Sequence, residues 1–346
     1  VFDARAAPAS APARSQPGRT RSAPAAQPYR TPAAPGPRGA PSDESPSPLH
    51  PYQESPMPLV PTASILAAAR AADTGAAAFN VIHLETAEAL VAAADETGSP
   101  LILQISENCV RYHGSLLPIT RAALALAEAA RTEVSVHLDH ITDADLIRQG
   151  VEAGVGSVMI DASTLPYTRN VATTARLTSW CHERGVFVEA ELGEVGGKDG
   201  VHAPGVRTDP DEALAFVAAT GVDALAVAVG SSHAMRERTA KLDLELIGRL
   251  REKLAVPLVL HGSSGVPDEE LRAAIGAGMT KINISTHLVS VFTGRVRKVL
   301  EADPALIDSR KYVAPAREAV RSEAARLLHV LGDMGRMKEK TSGEAP

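Results

Sequence analysis

The chain contains only two cysteines, Cys109 and Cys181, far apart and in no CxxC pair. That excludes a disulfide scaffold and a cysteine-rich zinc site, and it fits a reducing cytoplasm. Aromatic residues make up 3% of the chain, too few to build stacking platforms for nucleobases. Formal charge is −6, so no overall basic field draws nucleic acid or an acidic membrane. No apolar run approaches the roughly 20 residues needed to cross a bilayer. The expectation is a cytoplasmic protein with neither a nucleic-acid nor a membrane partner. Apolar residues are plentiful: 45% of the 346 are hydrophobic against 22% charged. That suits one large domain or two modest ones.

Residues 1–56 differ from the rest. They are built from Ala, Pro, Ser and Arg, with Pro8, Pro12, Pro17 and Pro24 interleaved with Arg14, Arg19 and Arg21. Almost nothing large and apolar is available to offset the entropy of ordering them. The expectation is a disordered extension ahead of a single domain over 57–346. A Pro-rich docking tail or an Arg-rich transit segment would share this composition. The periodic pattern begins at Met57 and the chain opens on Val1, so Met57 is the expected translation start.

From Met57 onward, short apolar runs alternate with helix-like stretches. The runs are Ala78–Val81, Leu101–Ser106, Val134–His140, Ser157–Ile160, Val186–Leu192, Ala224–Val229, Pro257–Leu260 and Lys281–Ile284. Most are continuously apolar, as expected of parallel strands buried on both faces. Between them, Thr142–Gly154, Asp209–Gly221 and Pro267–Gly278 carry acid or hydroxyl residues in the first turn and close on glycine, as helices do. Eight such units predict a closed (β/α)8 TIM barrel. An open doubly wound sheet is the alternative, but no GxGxxG follows the first strand to make it a dinucleotide-binding one.

In a barrel of this type the chemistry collects where strands end. Polar residues stand at all eight exits: Asn80; Ser106 and Glu107; Asp139 and His140; Asp161 and Ser163; Glu191; Ser231 to His233; His261; and Asn283. One strand-end histidine is explained by a hydrogen bond. His140, His233 and His261 at three separate exits point to a zinc site with an open fourth position. His137, one step inside the third exit, reads as a satisfied core histidine. The run His261-Gly262-Ser263-Ser264-Gly265 and the run Asn283 to Thr286 lie where such barrels hold phosphate. Gly193 to Gly200 reads as a lid with glycine hinges or as a solvated loop.

Together these segments resemble the class II, metal-dependent ketose-bisphosphate aldolases. The resemblance runs from Met57 to about Leu331. It is carried by GAAAFN (75–80), PLILQISE (100–107), HLDH (137–140), SVMIDAS (157–163), EAELGEVGG (189–197), HGSSGV (261–266) and KINIST (281–286). It implies a glycolytic type of reaction: zinc-dependent, reversible cleavage of a ketose 1,6-bisphosphate to dihydroxyacetone phosphate and an aldehyde. In that light His140, His233 and His261 bind Zn²⁺, and Asp139 exchanges a proton on the aldehyde side. Asp161 and Glu191 match positions tied to alternative metal placement, with room for a second divalent or monovalent cation. Gly262, Ser264, Asn283, Ser285 and Thr286 hold the dihydroxyacetone phosphate, while Asn80 and Ser106 line the pocket. A homodimer or homotetramer is also implied.

The chain departs from the family pattern in places. The lid reads Gly196-Gly197-Lys198-Asp199-Gly200, one residue short, which makes Asp199 the candidate carbon base and Glu194 the second. Ala234 and Ser263 replace frequent glycines. The motif around Asn283 is closer to the branch that includes tagatose-bisphosphate aldolases. Fructose 1,6-bisphosphate is the first expected substrate. The alternatives are tagatose 1,6-bisphosphate, another phosphorylated keto-sugar, or a catalytically weak sugar-phosphate-binding homologue.

Overall fold

Eight parallel strands pair in sequence order and close on themselves. In this computed structural model they are β1 (Ala76–Asn80), β2 (Leu101–Ser106), β3 (Val134–Ile141), β4 (Ser157–Ile160), β5 (Phe187–Glu191), β6 (Ala224–Ala226), β7 (Leu258–Leu260) and β8 (Met279–Ile284). The structure describes residues 58–192, 207–232 and 237–332, all within one unit spanning Glu54–Pro346. The extension read from residues 1–56 therefore lies outside the described residues. The described helices are α1 (Thr62–Ala71), α2 (Leu84–Thr97), α3 (Glu107–His113), α4 (Leu117–Ala129), α5 (Ala144–Glu152), α6 (Tyr167–His182), α7 (Pro210–Thr220), α8 (Leu244–Lys253), α9 (Asp268–Ala277), α10 (Thr286–Ala302) and α11 (Arg310–Gly332). The fold is the expected TIM barrel, and no described helix is long and apolar enough to cross a membrane.

The helix punctuation read from sequence has a local cause. Asp143 and Asp209 accept hydrogen bonds from the first backbone N–H groups of α5 and α7, and Gly221 closes α7 in the left-handed conformation. These caps satisfy groups that a helix end otherwise leaves unpaired. Outward-facing residues such as Phe79, Leu103, Val136, Leu138, Val188 and Ile282 are fully or almost fully buried against the helices. Each such side chain contributes roughly 1.5–3 kcal/mol of burial energy. The two cysteines are free and buried, and burial pushes both thiols up to about 11.

Two features were not anticipated. α1 belongs to no βα unit. Its Ile65, Leu66 and Ala69 pack with Ala76, Ala78 and Ile102 inside the barrel. Thr62 Oγ1 donates to Ser135 Oγ at 3.1 Å, and the segment before the helix bridges to β3, Val60 N to Val134 O at 2.9 Å. α1 thus closes the end of the barrel opposite the strand exits. Second, the layer above this end of the barrel carries charged and amide side chains. Gln104, His137, Glu189 and Lys281 are all fully buried there.

Candidate active site

β3 carries the site's main irregularity. It pairs with β2 in unbroken register as far as Ser106 opposite Asp139. Against β4 the register steps from Leu138–Val158 to Ile141–Ile160, so one extra residue sits on β3. Such a bulge re-aims side chains that strict alternation would send to opposite faces. His140 takes φ +52° there, a conformation costing roughly 1–2 kcal/mol for a residue with a Cβ. As a result two consecutive residues, Asp139 and His140, reach the same mouth. Strain of this kind collects at functional sites.

The side chains around the bulge are held on several sides. His140 Nδ1 meets Asp161 Oδ2 at 2.9 Å, which leaves Nε2 facing Asp139 Oδ1 at 4.0 Å. Asn80 Nδ2 donates to Asp139 Oδ2 at 3.0 Å, and Gln104 Nε2 donates to Asn80 Oδ1 at 3.3 Å. Asp139 Oδ1 is buried with no hydrogen-bond partner among the described residues. Burial by itself would raise the Asp139 carboxyl. The positive field of His140, His261 and Lys281 outweighs it and lowers the group to about 2, so it stands ionised at neutral pH.

His261 follows β7 directly and packs edge-to-face on His140, with ring centroids 4.6 Å apart. Its Nδ1 lies 2.9 Å from Glu191 Oε2 and its Nε2 lies 2.9 Å from Glu189 Oε1. Burial opposes a charge on this ring, but the two carboxylates overcome it and raise the imidazole to about 9. Glu189 also accepts from Lys281 Nζ at 2.7 Å. His137 Nδ1 pairs with Ser157 Oγ at 2.6 Å. Burial first, and then the Lys281 charge, push His137 down to about 3, so it is a neutral core residue. Asp139, His140 and His261 can each offer one ligand atom, and the three atoms lie within 4.8 Å of one another. Two imidazoles and a carboxylate with one unpartnered oxygen are a donor set that suits Zn²⁺.

The small-polar segments meet beside this cluster. After His261 the chain turns through Gly262 at φ +67° into the one-turn helix Ser263–Gly265. A Cβ on Gly262 would lie 2.6 Å from the Ser232 carbonyl carbon, so only glycine lets the β6 and β7 exits come this close. Ser264 Oγ accepts from Ser285 N and His287 N, both at 3.2 Å, and ties this turn to the start of α10. Asn283 Oδ1 and Ser231 Oγ are buried without partners among the described residues.

Of the residues expected at the site, Asn80, Asp139, His140, His261 and Asn283 converge at the strand exits. Asp161 and Glu191 lie against the Nδ1 atoms of His140 and His261. Ser106 Oγ is engaged as the cap of α3, accepting from Cys109 N at 3.2 Å. Gly262, Ser264, Ser285 and Thr286 form the glycine turn and the first residues of α10. His233, Asp199 and Glu194, with the lid at 193–200, lie outside the described residues. The sequence reading missed Glu189, Lys281 and Gln104, which sit two residues below the exits. The alternation Glu189-Ala190-Glu191 was the available signal, because residues two apart on a strand share a face. Glu107 was noted at the β2 exit, but its role is structural. It accepts from Thr142 N at 2.6 Å and Asp143 N at 3.3 Å, locking the β2 exit to that of β3.

Comparison with known proteins agrees with this geometry. Residues 60–336 match the family model described as fructose-bisphosphate aldolase class-II. The chain is 39% identical over 262 residues to a fructose-bisphosphate aldolase from Geobacillus stearothermophilus, covering 75% of this chain and 91% of that protein. A Staphylococcus aureus fructose-bisphosphate aldolase is 37% identical over 286 residues, 82% of this chain and 100% of its own length. Among solved structures, the YdjI aldolase of Escherichia coli K12 superposes with a TM-score of 0.72 at 30% identity, covering 80% of this chain and 99% of that one. With a family match across most of its length, a closed barrel and a histidine–carboxylate cluster at the strand exits, the chain belongs to the class II fructose-bisphosphate aldolase family and is an aldolase, a carbon–carbon lyase.

Proposed function

We propose that this aldolase cleaves a ketose 1,6-bisphosphate, fructose 1,6-bisphosphate first, into dihydroxyacetone phosphate and glyceraldehyde 3-phosphate, and that it uses zinc to do so. The observation carrying the reading is the cluster of Asp139, His140 and His261, with ligand atoms within 4.8 Å, beside a glycine turn and a helix N-terminus. His140 and His261 would hold the ion with His233, the third strand-exit histidine. Asp161 and Glu191, already against the ligand rings, are placed to orient them or to take up an alternative or second cation. When bound, zinc polarises the ketone and stabilises the negative charge that develops on it as the C–C bond breaks.

The remaining work falls to side chains. Asp139 stands ionised, with Asn80 holding Oδ2 and with Oδ1 unpartnered among the described residues. In cleavage it accepts the proton of the hydroxyl that becomes the aldehyde, and in condensation it returns that proton. Asn80 keeps the carboxylate aimed and, being held by Gln104, cannot rotate freely. The glycine turn and the start of α10 offer backbone N–H groups and the hydroxyls of Ser264, Ser285 and Thr286 to the dihydroxyacetone phosphate end. Asn283, whose Oδ1 has no partner among the described residues, is suited to a substrate hydroxyl. Asp199, with Glu194 second, is the candidate for moving the carbon-bound proton.

The test is an assay of purified protein with zinc against fructose and tagatose 1,6-bisphosphates, reading triose phosphate released. Turnover should be highest on the fructose substrate, should vanish on exhaustive chelation, and should return with zinc. Activity surviving complete metal removal would overturn the zinc reading. A clear preference for the tagatose epimer would overturn the substrate assignment.

A further inference from the structure

Lys281 is a fully buried lysine on β8, two residues inside the barrel from Asn283. Its Nζ lies 2.7 Å from Glu189 Oε2, while the other oxygen of the same carboxylate lies 2.9 Å from His261 Nε2. Both side chains of this ion pair have zero exposure. A buried lysine and glutamate are costly to desolvate, so the pair is weak evidence for stability as such. Replacement by apolar residues of similar volume would fill the same space. A role in orientation explains why charges stand here.

His261 has a carboxylate at each ring nitrogen, and the two differ in depth. Glu189 is two residues inside the barrel from Glu191, which ends β5. Nε2 is therefore the deep nitrogen and Nδ1 the one on the mouth side, toward the level of Asp139. A carboxylate already fixed by an ammonium accepts an N–H strongly and cannot turn away. We propose that Lys281, acting through Glu189, is a positioning residue: it fixes the carboxylate that holds the deep Nε2 edge of His261, and so fixes the ring with its Nδ1 edge toward the mouth. This rests on the reading of His261 as a zinc ligand. Carboxylates behind ligand histidines commonly set ring orientation and basicity, and their loss weakens metal binding by roughly 10–100-fold. Here the effect reaches one residue further, to the lysine behind that carboxylate.

Zinc dissociation constants, measured by competition with a chromophoric chelator, test this directly, with melting temperature recorded alongside. Glu189→Gln preserves shape and removes the charge. Lys281→Met removes the anchor. Each should weaken zinc binding by roughly 10–100-fold, and the double variant should bind no more weakly than Glu189→Gln alone, because the lysine works only through the glutamate. Unchanged zinc affinity in Glu189→Gln, or losses that multiply in the double variant, would overturn the proposal. If Lys281→Met fails to fold, Lys281→Gln, which keeps a hydrogen-bonding group against Glu189 without the charge, takes its place in the same comparison. Failure of the wild-type protein to bind stoichiometric zinc would instead sink the functional reading, so the two failures are distinguishable.

Discussion

Gly262 offers a perturbation whose cost can be worked out from backbone geometry. It adopts φ +67°, and an added Cβ would lie 2.6 Å from the Ser232 carbonyl carbon, 2.7 Å from its oxygen and 3.0 Å from its nitrogen. Gly98, which closes α2, adopts nearly the same φ of +64°, yet nothing lies within 4 Å of where its Cβ would stand. Substituting alanine at both positions separates two effects. Gly98→Ala carries the left-handed conformational cost alone, about 1–2 kcal/mol. Gly262→Ala adds a collision with rigid backbone, about 1–3 kcal/mol more by analogy with overpacked cores. The collision cannot be relieved by a rotamer change, because all three contacted atoms are main chain. Something must shift, and the candidates are the β6 exit just before His233 or the turn just after His261. Urea unfolding should therefore place Gly262→Ala well below Gly98→Ala, and aldol cleavage should fall at least tenfold only in the former. Equal stability losses for the two variants, with full turnover retained by Gly262→Ala, would refute the argument that close approach of the two exits requires glycine.

Other outcomes follow from single groups. Asp139→Asn keeps the volume and a hydrogen-bonding side chain but cannot take up the proton, so kcat should fall by roughly 10²–10⁴-fold with KM little changed. A variant with raised KM and intact kcat would contradict the assigned role in steady-state assays. Glu323 tests pH dependence away from the site. Burial by itself would raise its carboxyl, but hydrogen bonds from His287 at 2.7 Å and from Arg326 at 2.7 and 3.0 Å hold it at about 2, below its usual 4.5. A depressed carboxyl stabilises the fold fully above the unfolded value and loses that contribution as pH falls toward the folded one. The stability gap between the wild type and Glu323→Gln in urea melts should thus be constant above about pH 4.5 and close as pH drops toward 2. A gap that widens with acid would contradict this.

Much of the fold could be read from the chain because parallel barrel strands are buried on both faces. They appear as continuous apolar runs that few other structures need. The strand limits moved where packing overrode local pattern. β1 starts at Ala76 rather than Ala78 because both alanines face α1 inside the barrel. β6 ends at Ala226, although the apolar run continues to Val229, because the ladder with β7 stops there. α1 was missed because its reason for existing is the open end of the barrel, which no local window contains. At the site, the strand-exit histidine and acids were legible from position. Glu189 and Lys281 were not singled out, since a charged residue within an apolar strand gains meaning only from what faces it.

The sequence by itself determined the alternation of elements, the closed barrel it implies, and the polar residues that arrive at each exit. Tertiary structure alone decided how those residues meet. Asp139 and His140 are neighbours in the chain that a regular strand would point in opposite directions, and the bulge against β4 brings both to one mouth. His261 is bracketed by two glutamates some 70 positions away, and Glu189 is anchored by a lysine 92 positions further along the chain. Hydrogen bonds of that range depend on the register of a closed sheet. Register is a property of all eight strands together, so no single segment of sequence contains it.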